Sequence, residues 1–320
     1  MTLAVAMHNG TSFLGHAVES IRQQSYQGWE AVLVDDASTD DTHALACALA
    51  AADPARIRVV KLDHNVGVAQ ARAIAIRAAR PAELVALLDQ DDLLDEKYLA
   101  RCIGLYDRHV AAGRRVGVVA CDAWILDAAG RRDGTYAARH GWNDTIDYDR
   151  MIERNCVCAR ALFSRDAYER AGGFVTETQP SDDYDLWLRM LELGYEVITT
   201  REVLASYRLH ADATSRDEAR MAAAALVVHR RALDRGAASR VQRRALRARM
   251  RHHRALRERA RLGRALSERR ALAAGVAAAR AAWYGPIAFL QAPSRWSEWM
   301  LGLVRPGRDT ARPSRRREDI

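Results

Sequence analysis

The sequence predicts an α/β domain with a mostly parallel sheet and helices on both faces, followed by an α-helical C-terminal extension. Two observations carry this. Short apolar runs alternate with helical patterns through the first 121 residues, and the composition turns arginine-rich and helical from about residue 214. Strands separated by helices of that length form right-handed βαβ units, whose parallel sheets are covered on both sides.

The elements follow in order. LAVAM (3–7) reads as a strand, and Phe13, Leu14, Ala17, Val18 and Ile21 as one helix face. EAVLV (30–34) is the next strand. In DDASTDDT, Ser38 and Asp41 have capping-box spacing before an alanine-rich helix. RIRVVKL (56–62) is the third strand, Asn65 and Gly67 mark a turn, and Val68 to Ala79 is helical. LVALL (84–88), a helix over 95–112 and VGVVAC (116–121) complete the regular part. Beyond it, DAAG (127–130) predicts a hairpin tip, CVCARALF (156–163) a strand and Gly172-Gly173-Phe174 a turn. Residues 182–194 predict an amphipathic helix, and YEVITT and EVLASYRLH two short strands. Residues 1–214 thus form one domain, 215–304 an arginine-rich helical extension, and 305–320 a basic tail expected to be disordered.

Bulk properties narrow the class. With 320 residues, 49% of them apolar, the chain can bury a sizeable core. It has no signal-peptide pattern and no run of about 18 apolar residues. Its five cysteines lack the spacing of a zinc site or disulfide framework, which implies a reducing, cytoplasmic setting. The net charge of +8 is divided. From residue 216 onward 26 arginines face 9 acidic residues, a balance of +17 against −9 for the first 215 residues. A solvated arginine-rich helical region accounts for this as well as an anionic partner does. The tail lacks interleaved aromatics, so no nucleic-acid partner is expected.

Sheets of this kind bind ligands beyond the carboxyl ends of their strands. Polar clusters follow three of the strands: His8-Asn9, Asp35-Asp36 and Asp89-Gln90-Asp91-Asp92. Carboxylates crowded on a tight turn need a counter-charge, which a hard divalent cation such as Mg²⁺ or Mn²⁺ supplies. Stabilisation by the dipole of the following helix accounts for one or two of these acids but poorly for Asp89. A carboxylate at the Asp35-Asp36 strand end can accept from a nucleobase N–H.

In order, AMHN, SIRQQSY, WEAVLVDDASTDDT, NVGVAQAR, LLDQDD, AGGF, DDYDLWLRM and YRLH resemble the pattern of family-2 glycosyltransferases of GT-A fold. The resemblance runs from residue 3 to about 215. Each motif alone is weak, and the ordered set is specific. It implies a metal-dependent, inverting sugar transfer from a nucleotide-sugar, with a lean towards uridine, to a hydroxyl of a glycan or lipid-linked acceptor, as in bacterial envelope glycan synthesis. It implies Asp183 as general base, Asp36 at the base and Arg72 near the nucleotide phosphates. Asp89, Asp91 and His210 would hold Mn²⁺ or Mg²⁺, Asp92 would lie near the ribose or metal, and Asn9 and Asp182 would belong to the donor site. The start of helix 182–194 would help keep Asp183 ionised. Asp182 and Asp185 are its rivals for the base.

The chain departs from the pattern at Met7-His8, at Ala73 where Asn is frequent, and at Asp182 where Glu is frequent. Trp296, Trp299, Met300 and Leu303 form a helical stripe flanked by Arg295 and Arg305. Such a stripe can lie on an anionic membrane, which would put the protein at the inner face of the cell membrane, or pack on the preceding helices. The rival function is a non-catalytic sugar-nucleotide-binding scaffold of the same fold.

Overall fold

The computed structural model describes residues 1–127, 129–140, 145–157, 160–210, 213–267 and 271–284. The tail from 305 and the Trp296–Leu303 stripe lie outside the described residues.

The first half alternates as expected: β1 (Thr2–Met7), α1 (Thr11–Arg22), β2 (Glu30–Asp35), α2 (Thr42–Ala51), β3 (Ile57–Lys61), α3 (Val68–Ala78) and β4 (Leu84–Asp89). A two-residue strand, β5 (Leu93–Leu94), precedes α4 (Tyr98–Ala111). Next come β6 (Val116–Leu126), β7 (Arg132–Thr135), α5 (Tyr136–His140), β8 (Thr145–Ile146), α6 (Tyr148–Glu153), β9 (Leu162–Ser164), α7 (Arg165–Arg170), α8 (Asp182–Glu192) and β10 (Glu196–Arg208). The extension comprises α9 (Glu218–Asp234), α10 (Arg240–Ser267) and α11 (Ala271–Tyr284).

Among the described residues the sheet runs β3-β2-β1-β4-β9-β6-β10-β5, with β7 beside β6 and β8 beside β10. β1 to β4 are parallel, and β6 and β10 are parallel to each other. Between these halves lies β9, antiparallel to both β4 and β6. The expected parallel order thus holds through β3-β2-β1-β4 and again at β6-β10, and β9 interrupts it. The two short strands foreseen at 195–210 are one strand, β10, with register shifts against β6 between Thr200 and Ala205.

Side chains alternate across β1 with the strand period of two. Leu3, Val5 and Met7 join the core under α1, α2 and α4, while Ala4 faces the other core with α3, α7 and α8. Both faces are covered, so β2 and most of β4 are buried along their length. On the second face Trp187 of α8 packs edge-on against Phe163 of β9, ring centres 5.5 Å apart. Burying two such aromatics fixes the seat of α8 on the sheet.

The extension docks on the same face through polar groups. The buried Asp185 carboxylate accepts from Arg189 of α8 (2.8 Å), from Arg231 of α9 (3.3 Å) and from Arg235 just past the end of α9 (3.1 Å). Arg235 also holds Glu192, and Tyr184 meets His229 of α9 at 2.9 Å. Part of the arginine excess is thus consumed in attaching α9 to the α/β domain.

Candidate active site

Strand register assembles the site. Met7 pairs with Asp35 and Ala6 with Asp89, so β1, β2 and β4 end side by side. β5 pairs antiparallel with β10, Leu93 opposite Ser206. The chain leaving β10 therefore runs back over Asp91 and Asp92. A cleft of about 1080 Å³ opens there, lined among others by Asn9, Asp36, Arg72, Asp89, Asp91, Asp92, Asp183 and His210. It is large enough for a nucleotide-sugar with room left over.

The loops at this edge hold one another. Gln90 accepts from the His8 N–H and donates to the His8 carbonyl, both at 2.9 Å. A Cβ on Gly10 would fall 2.1 Å from Gln90 Oε1, so a side chain there would push Gln90 from its place on His8. Asn9, at φ 51°, accepts from Thr39 N–H at 2.8 Å. Ser38 Oγ accepts from Asn9 N–H, and α2 has no side-chain cap. The expected capping box at Ser38 is thus absent, because the hydroxyl is used to tie two loops. Both Asp36 oxygens accept backbone N–H bonds, from Val66 (2.7 Å) and Gly67 (2.8 Å). Gly67 sits at φ 84° with Gln179 Oε1 2.3 Å from where a Cβ would be, and Asp36 still lines the cleft.

Four acids surround two buried arginines. Arg72 donates to Asp89 at 2.5 Å and to Asp182 at 3.0 Å, bridging the β4 loop to α8. Burial works against its charge, but Asp89, Asp182 and Asp183 raise its pKa. Burial likewise opposes ionisation of Asp89, and Arg72 and Arg160 outweigh it, holding that carboxyl below its usual range. Asp92 is turned inward. It pairs with Arg160 and accepts from Arg208 N–H at 3.0 Å. Burial first, then repulsion from Asp91 and Asp89, push it up to about 8.

Asp91 and His210 face the cleft differently. His210 Nε2 lies 2.8 Å from Asp91 Oδ2, both side chains about one-fifth exposed. The His210 ring rests 5.0 Å from Phe13. The acids of this loop are not helix-dipole charges, since β5 intervenes and α4 begins only at Tyr98. No group of three or more His, Cys, Asp or Glu with metal-binding geometry occurs among the described residues. Asp91 and His210 form a two-donor pair. The Asp91 carboxylate fits Mg²⁺ or Mn²⁺, hard cations that bind one or two carboxylates and complete their shell with water and phosphate oxygens, and His210 stands beside it as a nitrogen donor.

The acids that open α8 have separate fates. Asp182 is fully buried against Arg72, and Asp185 is consumed by three arginines. Asp183 alone of the three lines the cleft. It accepts from Tyr184 N–H at 2.7 Å and lies 3.5 Å from Asn155 Nδ2. Burial and repulsion from Asp182 push its carboxyl up to about 6, outweighing the helix start. Gln90, Asn155 and Arg160 carry no motif signal, and their places follow from the fold alone.

The chain belongs to the glycosyl transferase family 2, whose description matches residues 2–172. Its architecture is the GT-A fold. It is 31% identical over 193 residues to the uncharacterized protein y4gI of Sinorhizobium fredii, covering 60% of this chain and 20% of that one. Over 132 residues it is 38% identical to the succinoglycan biosynthesis protein ExoO of Rhizobium meliloti (41% of this chain, 36% of that one). Against the Escherichia coli UDP-Glc:alpha-D-GlcNAc-diphosphoundecaprenol beta-1,3-glucosyltransferase WfaP it is 25% identical over 216 residues (67% and 79%). The chain thus spans from a fifth to about four-fifths of the length of these relatives. Among solved structures it is similar to a mannosyltransferase from Pyrobaculum calidifontis, bound to GDP-Man and Mn²⁺ (TM-score 0.61, 22% identity, 95% of this chain and 81% of that one). It is also similar to TarS of S. aureus bound to UDP-GlcNAc (0.62, 13%, 94% and 91%).

Proposed function

We propose that this glycosyltransferase moves a sugar from a nucleotide-sugar, UDP-linked in our reading, to a hydroxyl of a glycan or lipid-linked acceptor, inverting the anomeric centre. The observation that carries the reading is that Asp183 and the Asp91–His210 pair line one cleft at the strand ends. The names of ExoO and WfaP support a place in bacterial polysaccharide assembly, and WfaP's supports UDP and a lipid-linked acceptor.

Asp183 acts as the general base. It takes the proton of the acceptor hydroxyl as that oxygen bonds to the sugar's anomeric carbon and the bond to the diphosphate breaks. Base catalysis of this kind is worth roughly 10²–10⁴-fold. A carboxyl titrating near 6 suits the task, being ionised at neutral pH yet more basic than a free aspartate. Asp36 and Asn9 frame the nucleoside end. Arg72 sets Asp89 and Asp182 beside the phosphates, and Asp92 stiffens the loop through Arg160. Asp91 and His210, with Asp89 nearby, would hold the divalent cation. When bound, it would supply Lewis-acid stabilisation of the leaving diphosphate. No helix among the described residues is long and apolar enough to cross a membrane. We place the protein on the cytoplasmic side, at the inner membrane face.

A donor screen with Mn²⁺ and Mg²⁺, read by nucleoside diphosphate release, tests this. UDP release dependent on both metal and acceptor is expected. Calorimetry showing no nucleotide uptake with either metal would overturn the reading.

A further inference from the structure

The cleft continues past Asp183 to walls supplied by the C-terminal helices. Met221, Ala222 and Ala225 of α9 and Leu256 of α10 give an apolar side, and Arg154, Arg220 and Arg249 give a cationic one. Arg249 is half-buried and pairs with no carboxylate among the described residues, and its buried Nε has no hydrogen-bond partner. Burial, with the nearby Arg154 charge, outweighs the favourable pull of Tyr184 and Glu153 and holds its pKa below the usual guanidinium range. Among the described residues the Arg154 side chain donates to the Arg139 carbonyl, and neither it nor the Arg220 side chain pairs with an acid. Two carboxylates also line this end. Glu153 is held by Arg150 at 3.0 Å and reaches Arg249 only as a lesser through-space charge, and Glu218 is held by Arg259. His253 also lines it, and burial keeps that ring neutral. A half-buried guanidinium facing a cavity without an anion is costly.

We infer that Arg249, with Arg154 and Arg220, forms an acceptor-side anion subsite that takes a phosphate or diphosphate ester, its apolar chain lying along Met221, Ala225 and Leu256. Arginines that repel one another favour a multiply charged anion, and the planar guanidinium matches phosphate oxygens. The arginines and the apolar strip line the same cleft, so the anion and the apolar group belong to one molecule. This rests on the reading of Asp183 as the base, because it makes this end of the cleft the acceptor's. It gives the arginine-rich extension a role beyond docking.

The test is calorimetry on the full chain in EDTA, which removes any metal-mediated phosphate binding at the donor end. The probes are farnesyl diphosphate, inorganic pyrophosphate and farnesol. We expect farnesyl diphosphate to bind most tightly, pyrophosphate weakly and farnesol least. Arg249→Met should weaken farnesyl diphosphate about tenfold or more, the scale of one charge-assisted hydrogen bond. UDP uptake with Mn²⁺ should be unchanged in that variant, which also checks its fold. Arg247→Met, exposed on the same helix and away from the cleft, should bind like the parent. Equal binding of farnesyl diphosphate and farnesol would overturn the subsite, as would equal losses in the Arg247 and Arg249 variants. Binding of pyrophosphate as tight as farnesyl diphosphate would assign a free anion and overturn the ester. Asp183→Asn should leave farnesyl diphosphate binding intact, so failure of the base assignment and failure of the subsite separate.

Discussion

The two ends of the cleft balance charge in opposite ways. At the strand-end half, carboxylates outnumber cations, and Arg72 and Arg160 are already spent on Asp89, Asp182 and Asp92. At the helical half, arginines outnumber acids, and Arg249 has no paired acid among the described residues. Two arginines of the basic C-terminal part, Arg220 and Arg249, reach the same cavity as the strand-end acids. In our reading the acid-rich end suits a divalent cation and the arginine-rich end an anion. The difference teaches that net charge localised by sequence becomes informative only once pairs are subtracted. Asp185, buried beneath three arginines, would otherwise count as a site acid.

Breaking the acid end has the largest expected effect. Asp91→Ala should abolish metal-dependent turnover, and His210→Ala should weaken it while leaving some activity at high Mn²⁺, both read by UDP release against metal concentration. Next, removing the hub between the halves should act on folding. Asp185→Ala leaves three guanidinium groups without their buried partner and should cost about 3–5 kcal/mol in urea unfolding. A smaller effect is expected from Gly10→Ala, whose Cβ would meet Gln90. It should cost roughly 1–3 kcal/mol and lower turnover by loosening the His8–Gln90 tie. The mildest effect concerns pH. Burial holds His229 neutral, lowering its pKa to about 3 from 6.5. Its contribution to stability is full above 6.5 and is lost as pH falls below that, by at most about 1.4 kcal/mol per unit. Unfolding midpoints at pH 7 and 5 should show the loss, and His229→Gln should reduce it.

Much of the acid end was legible because its determinants are local. Strand, helix and turn signals to residue 121 depend on neighbours in the chain, and parallel order brings their ends together without further information. The legible part stops where pairing is long-range. Nothing local marks β9 as the antiparallel strand between β4 and β6, or joins YEVITT to EVLASYRLH as one strand. Ser38 has capping spacing, yet Asn9, twenty-nine residues away, claims its hydroxyl. Gln90 and Arg160 act through partners 82 and 68 residues distant. Asp182, Asp183 and Asp185 look alike in the chain, and helix phase with the docking of α9 separates them. Arg249 is one of many arginines in sequence and is distinguished only by what it fails to meet.

The central claim is that Asp183 moves a proton and does not hold the donor. Asp183→Asn, assayed on one preparation for UDP–Mn²⁺ uptake by calorimetry and for sugar transfer, tests it directly. The account predicts unchanged uptake with transfer reduced roughly 10²–10⁴-fold. Transfer at the parent rate, or loss of uptake in step with transfer, would contradict it.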